Sequence, residues 1–454
     1  MSFAPATTVL DSVLFRDAFG TPAMRQVFSD QALIGRYVEV EVALAKAEAR
    51  CGVVPVEAAD TIAKQANAST LDFDLLRQET DNVGYPILPL VHQIAKQCGD
   101  AGRYVHWGAT TQDIMDTATV LQIRDGLALI RTALRGMVTA LSAQADKHRR
   151  TVMAGRTHLQ QALPITLGLK CAVWAQPLIA HIHRLDALRP RVQQVSFAGA
   201  AGTLASLGDQ GIAVMEGLAT ELDLAAPAAP WHVSRDGFAE TVAFLGLICG
   251  SLAKLATDVI LLAQTEVGEL AEPYVAGRGS SSTMPQKRNP IASEYILAAA
   301  RTVHALVPVM LGAMAANHER ATGPWQAELL ALPQAFVLTH GALQHAGAIA
   351  EGMVIDAPRM RRNLDLTGGL IVAEAVMMGL APHIGRGEAH HVVKHACDAA
   401  LAETIPLADA LAREPAIAGH LDRAAIDRLT DPAHYLGSSD GFIDRVLRAA
   451  RALD

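Results

Sequence analysis

Seven apolar residues, Val120, Ile123, Leu127, Ile130, Leu134, Met137 and Leu141, recur at alternating steps of three and four. Only an α-helix places such residues on one face, and a stripe this long and narrow is the seam of a bundle helix, not of a short surface helix. The spacing predicts a helix over 117–148. Similar stretches at about 160–188, 236–270, 291–315 and 328–353 predict further long helices. Each is punctuated by turn-forming residues, such as Arg189-Pro190, Gly199 to Gly202 and Gly277 to Ser282. Helices of roughly 25–35 residues imply a long bundle. Hydrophobic residues make up 51% of the chain but aromatics only 4%, so the apolar mass is Ala, Leu, Val and Ile. Ala and Leu favour helix. The expected fold is all-α.

A chain of 454 residues exceeds one compact core. The pattern suggests three parts: an N-terminal helical domain over 1–110, a central long-helix bundle over 111–354, and a C-terminal helical domain over 355–454. The Ala-rich seams carry more apolar face than a single chain readily covers. An intramolecular core and burial against sister subunits both account for them.

The net charge is −8, with no basic stripe, which argues against nucleic acid as a partner. An anionic substrate would need a local positive pocket working against the global field. The five cysteines are far apart and form no C-x-x-C pair, so zinc and disulfide frameworks lack support. Reduced thiols fit a cytoplasmic location. The opening MSFAPATTVLDS has no signal-peptide pattern. The most apolar stretch, Phe244 to Ala263, contains Lys254 and Asp258. Two charges there argue for a helix buried in protein, not a membrane span. Their spacing of four allows them to pair on one face.

Four segments could carry chemistry. Gly277 to Pro290, GRGSSSTMPQKRNP, joins glycines and serines to Lys287 and Arg288. Such a loop can clamp a carboxylate, although a plain solvated loop has the same composition. Tyr104 to Asp113, YVHWGATTQD, sets His106, Thr110, Thr111 and Gln112 ahead of a long helix. Capping by Thr111 or Asp113 would explain part of that cluster. Gly155 to Gln161, GRTHLQQ, presents His158 and Gln160 before an apolar helix, where a structural histidine is the plainer account. Asn317-His318-Glu319-Arg320 reads as part of a helix, and a solvated charged face would explain it.

Together these segments resemble the fumarase/aspartase superfamily. Its SSxMPxKxNP signature stands here as Ser281 to Pro290, and GATTQD, GRTHLQ and NHER follow the superfamily's order. Within it the chain is similar to the bacterial 3-carboxy-cis,cis-muconate cycloisomerases, through YVHWGATTQDIMDTA, PWHVSRD, EGMVIDAPRMRRNLDLTGGL and DPAHYLG. Adenylosuccinate lyases come next, but ATGPW follows NHER where they carry a serine-rich phosphate-binding run.

The resemblance implies a cytoplasmic homotetramer whose active sites collect residues from several subunits. It also implies a tricarboxylate substrate and no metal or organic cofactor. Ser281 matches the serine that moves the proton alpha to a carboxylate, with Ser282 as the alternative because Ser280 stands where the family carries Gly. His158 is the second catalytic candidate; muconate cycloisomerases often carry Trp there, and lyases carry His. Substrate-binding positions carried over are His106, Thr110, Thr111, Gln112, Gln160, Arg235, Ser282, Lys287, Asn289, His318 and Arg320. The implied reaction is anti addition of one carboxylate across a conjugated double bond of 3-carboxy-cis,cis-muconate. A 3-sulfomuconate cycloisomerase and a fumarate-releasing lyase are the alternatives. A serine needs cations and N–H donors to become basic, and the extra charge beside a carboxylate needs preorganised donors, worth roughly 3–4 kcal/mol each where measured.

Overall fold

The computed structural model describes residues 7–275, 277, 279–280 and 283–453. Ser281 and Ser282, the expected proton carriers, lie outside the described residues. Among those described, helix dominates, and strands form only two two-stranded sheets. The helices used below are α1 (Asp30–Arg50), α2 (Thr111–Lys147), α3 (Leu167–Val192), α4 (Asp236–Ala263), α5 (Ile291–Ala313) and α6 (Pro324–Gly352). The strands are β1 (Val152–Thr157) and β2 (Gln160–Thr166).

All seven residues of the predicted seam lie on α2 and are at most 1% exposed. The helix starts earlier than its apolar pattern, at Thr111, because Thr110 precedes it and Asp113 reaches back to accept the Thr110 N–H at 2.9 Å. That is half of a capping box, formed by a carboxylate in the third helical position. α1 is capped by Ser29, whose hydroxyl accepts the Ala32 N–H at 3.2 Å. α5 begins where Glu272 accepts the N–H groups of Ala292 and Ser293 at 3.0 and 2.7 Å. A carboxylate there also suits the positive end of the helix dipole.

Three expectations need correction. The helix expected from 160 begins at Leu167, because 160–166 is strand β2, paired antiparallel with β1. The Thr166 hydroxyl caps α3 by accepting the Leu169 N–H at 3.1 Å, which sets the helix start after the strand. The helix expected to reach 270 ends at Ala263, and Leu270–Ala271 pairs with Val354–Ile355 instead. Asn317 to Arg320 is not helical: it lies between α5 and α6, where His318 and Gly323 take positive φ (44° and 104°) and Pro324 starts the next helix.

The described residues fall into two compact units. One comprises residues 1–134, 181–252 and 295–344; the other comprises 135–180, 253–294 and 345–454. Each of the five long helices α2 to α6 contributes residues to both. In the first unit, α1 packs against Gly211–Leu222, and Tyr37, Leu44, Ile62, Leu90, Ile94, Ile114 and Leu218 share one apolar core. In the second, Val376, Leu380, Val393, Ala396, Leu407, Leu411 and Ile426 form a C-terminal core. Lys254 and Asp258 do pair, with Nζ 2.6 Å from both carboxylate oxygens, and Trp174 Nε1 donates to Asp258 at 2.8 Å. By length and composition alone, α4 and α5 are apolar enough to cross a membrane.

Glu48 on α1 is the most unusual core residue. It is fully buried, and neither carboxyl oxygen has a hydrogen-bond partner among the described residues. Burial first, and the neighbouring Glu41 second, push its carboxyl from the ordinary 4.5 up to about 9. The fold therefore retains a proton that the unfolded chain gives up. Stability is full below the unfolded value and is lost as pH rises from about 4.5 through about 9. Glu48→Gln carries no such proton. Calorimetry from about pH 5 to about pH 9 should show its melting temperature gaining steadily on the wild type. A gap independent of pH would mean that Glu48 is ionised inside the fold.

Candidate active site

In the first unit the site is organised by Asp113, which is 0% exposed. Its Oδ1 accepts from Ala198 N at 2.9 Å and His232 Nε2 at 2.7 Å, and its Oδ2 accepts from Thr110 N at 2.9 Å and Gly199 N at 3.0 Å. Four donors on one buried carboxylate fix the Thr110–Thr111 turn, the 198–199 loop and His232 relative to one another. Glycine suits position 199, whose φ of 74° is a left-handed value that side chains rarely adopt. One turn along, the Thr117 hydroxyl donates to Ser196 O at 2.9 Å and accepts from Ser196 N at 2.8 Å, extending the weld.

Beneath this turn lies a buried charge cluster. The Arg235 guanidinium makes two bonds to Asp116, at 2.7 and 2.9 Å, and two to Glu328, at 2.9 and 2.5 Å. Trp231 and Phe238 flank its cationic carbon at 5.0 and 4.7 Å. Burial opposes the charge on Arg235, but the two carboxylates outweigh it and raise its affinity for the proton. Burial raises the Glu328 carboxyl against the pull of Arg235. Trp325 Nε1 also donates to Asp116, at 3.1 Å, and stacks on Tyr85.

Two expected substrate-binding residues are thus internal supports in this structure. The Arg235 side chain is 2% exposed and has no face left for a substrate anion. Gln112 is 1% exposed and donates to Asp116 and to the His232 carbonyl, at 3.0 and 2.9 Å. Thr110, Thr111 and His106 are half-buried above them. His106 sits at φ 62° and donates its Nδ1–H to Glu41 at 2.6 Å. Arg320 joins the same group by donating to Ala200 O at 2.8 Å, beside the loop held by Asp113. His318 is exposed on the same connection.

In the second unit His158 and Gln160 are exposed at the end of the β1–β2 hairpin. The two-residue turn is His158-Leu159, with φ of 51° and 64°. Such a turn needs two left-handed residues, normally Asn or Gly, so His and Leu hold it at a cost. The hairpin is anchored by Arg156, which forks onto Glu269 at 2.9 and 2.6 Å, and by Gln161, which donates to Asn363 O at 2.9 Å. Arg156, Leu159, Gln160, Gln161, Asn363 and Thr367 line a cavity of about 300 Å³.

The signature loop is also in this unit. Asn289 N donates to Gly279 O at 3.0 Å, and Ser280 bridges to Arg288, so the loop's two ends are drawn together. Gly279, at φ 72°, is required because a Cβ would come within 2.7 Å of the Asn289 carbonyl. Lys287 is exposed, Asn289 is half-buried, and Arg288 lies over the Tyr274 ring at 4.5 Å. This arrangement presents cations and backbone donors on a pinned loop, which suits a multiply charged anion.

A family model described as lyase matches residues 18–305, and one described as the adenylosuccinate lyase C-terminus matches residues 369–446. The chain belongs to the fumarase/aspartase superfamily. Its all-α fold is that of this superfamily. It is similar to the 3-carboxy-cis,cis-muconate cycloisomerase of Pseudomonas aeruginosa, at 45% identity over 100% of this chain and 98% of that one. Trans-aconitate decarboxylase 1 of Mycosarcoma maydis is 48% identical over 95% of this chain and 88% of that one. The crystal structure of the 3-carboxy-cis,cis-muconate lactonizing enzyme from Pseudomonas putida superposes with a TM-score of 0.92, at 44% identity, covering 97% and 99% of the two chains. The chain is an enzyme of this superfamily.

Sequence reasoning had no role for Glu41, Asp116, Glu328, His232 or Trp325. For Glu41, Asp116 and Glu328 the signal was a carboxylate inside an apolar helical stretch, as with Glu41 among Tyr37, Val38, Leu44 and Ala45; His232, in a turn, and Trp325 carried no such signal. Asp116→Ala would leave Arg235 with Glu328 alone. It should cost about 3–5 kcal/mol, the usual penalty for breaking a buried ion pair from one side. Urea unfolding measures this, and a loss below about 1 kcal/mol would mean that the cluster is solvated.

Proposed function

We propose that the protein is a cycloisomerase converting 3-carboxy-cis,cis-muconate to 4-carboxymuconolactone, in the protocatechuate branch of the β-ketoadipate pathway. The observation that carries this reading is full-length identity of 43–45% to cycloisomerases from several bacteria. The intact run Ser281 to Pro290 supports it.

In the lactonising direction a substrate carboxylate oxygen bonds to one end of a conjugated double bond. The electron pair moves to the carbon alpha to another carboxylate, and a proton arrives there from the opposite face. In this reading Ser281 carries that proton, with Ser282 as its alternative. Lys287 and Asn289 hold carboxylates and offset the developing charge, while Gln160 and, from other subunits of the assembly, Thr110, Thr111 and His106 complete the pocket. His318 and Arg320 border it. His158 either donates a proton or forms a polar wall. Arg235 and Gln112, expected to bind substrate, contribute indirectly by bracing Asp116, and Gln112 also holds the His232 carbonyl.

The same reading includes a soluble, cytoplasmic homotetramer with sites shared among subunits, no nucleic-acid or membrane partner, and three consecutive parts divided at about 110 and 354. Exposed apolar residues on the long helices support the assembly: Leu247 is 54% exposed, Leu311 54% and Leu330 67%. Isolated water-soluble helices rarely present so many large apolar side chains together.

A second reading is another superfamily reaction on an unsaturated carboxylate. The 48% identity to a trans-aconitate decarboxylase favours it, and His158 fits a fumarate-releasing lyase. Ultraviolet spectroscopy separates the two. Loss of diene absorbance from 3-carboxymuconate supports the cycloisomerase. An inert muconate, with release of CO₂ from trans-aconitate or of fumarate from a succinylated substrate, supports the alternative.

Ser281→Ala should lower turnover by at least roughly a hundredfold, as loss of a general acid–base does, while sedimentation shows an unchanged assembly. A variant at the wild-type rate would move the role to Ser282. His158→Trp should retain far more turnover than Ser281→Ala under steady-state kinetics. Equal collapse would make His158 a proton carrier.

A further inference from the structure

His106 has one side-chain partner among the described residues, and that partner is deeply buried. Glu41 on α1 is 1% exposed, its Oε1 accepts His106 Nδ1–H at 2.6 Å, and its Oε2 has no hydrogen-bond partner among the described residues. A carboxylate in an apolar core with half its hydrogen-bonding capacity unused is costly. Nothing in the packing of α1 calls for it, since Val38, Val40, Leu44 and Ala45 around it belong to the apolar core. Its one visible task is the imidazole.

The ring itself is held at a strained backbone, φ 62°, and its side chain is 20% exposed. Its Nε2 makes no hydrogen bond to the described residues. The charged groups that face it are Glu41 from α1 and Asp113 from the start of α2. Asp113 is already engaged by four N–H donors, which leaves Glu41 as the direct counter-charge. Glu48, seven positions further along α1, is close enough to feel Glu41 but keeps its own proton, so it adds no second negative charge.

We propose that Glu41 is a positioning residue for His106: it orients the ring through Nδ1 and holds it as an imidazolium, so that Nε2–H is a charged donor to one carboxylate of the substrate. This rests on the functional reading above, which puts His106 in the pocket. Burial alone would discharge the ring, but the charge and hydrogen bond of Glu41, aided by Asp113, reverse that and raise its proton affinity.

The test uses the full-length protein with ¹⁵N-labelled histidine, the His106 signal being assigned by its loss in His106→Gln. In Glu41→Gln, which keeps the acceptor but removes the charge, the His106 titration midpoint should fall by at least about one pH unit. Calorimetric binding of propane-1,2,3-tricarboxylate should then weaken roughly tenfold at a pH between the two measured midpoints, but less than about twofold at a pH well below the variant's own midpoint, where the ring recharges. In a His106→Gln background, adding Glu41→Gln should change affinity no further. An unchanged midpoint overturns the proposal. So does equal weakening at both pH values, which would mark Glu41 as merely structural. A wild-type protein that binds no tricarboxylate at either pH sinks the functional reading and the anion role with it. The His106 titration still decides the Glu41 pairing in that case.

Discussion

Asp113 takes four N–H donors from three places in the chain, and the Thr110–Thr111 turn, the 198–199 loop and His232 all depend on that one carboxylate. A long helix such as α2 is rigid, but its first turn leaves unpaired N–H groups and frays readily. Placing a buried carboxylate in the third helical position answers one of those groups and recruits the 198–199 loop and His232 at once. The turn holding Thr110 and Thr111 thereby inherits the rigidity of α2.

Charge is handled differently in the two units. Below the turn, Arg235 is locked between Asp116 and Glu328 with its side chain 2% exposed, so it stiffens the scaffold and is spent before a ligand could reach it. In the second unit Lys287 and Arg288, both in the superfamily signature, are exposed cations. A chain with net charge −8 can thus present local positive charge to a polyanion. Strain follows the same geography. Of the seven non-glycine residues with positive φ among those described, His106, His158, Leu159 and His318 lie in the singled-out segments. Such conformations persist where surrounding structure imposes them, and they concentrate at functional sites.

The sequence made the bundle legible because a step of three and four is geometric: Val120 to Leu141 can share a face only on a helix, and all seven are buried. The hairpin at 152–166 was not legible, because a short apolar run such as Ala162 to Ile165 fits strand and helix alike, and its turn uses His and Leu where Asn and Gly would have announced it. The Asn317–Arg320 connection was missed for a related reason, since Gly323-Pro324 marks the start of α6 but says little about the residues before it. For the site, residue type was a better guide than role. Arg235 and Gln112 look like ligand-binding residues in a linear sequence, and only the structure shows Arg235 locked between Asp116 and Glu328 and the Gln112 amide nitrogen donating to Asp116 and to the His232 carbonyl, with Gln112 Oε1 left without a partner among the described residues. The converse holds for Glu41, whose isolation in an apolar face was visible but whose partner, 65 positions away, was not.

The central claim is that one buried carboxylate locks the start of α2 to the 198–199 loop. Native-state hydrogen exchange at the amides of Thr110, Ala198 and Gly199 measures it directly. All three should be strongly protected in the wild type, open together with a single free energy, and lose that protection together in Asp113→Ala while the middle of α2 stays protected. Fast exchange in the wild type, or three amides that open independently, would contradict the claim.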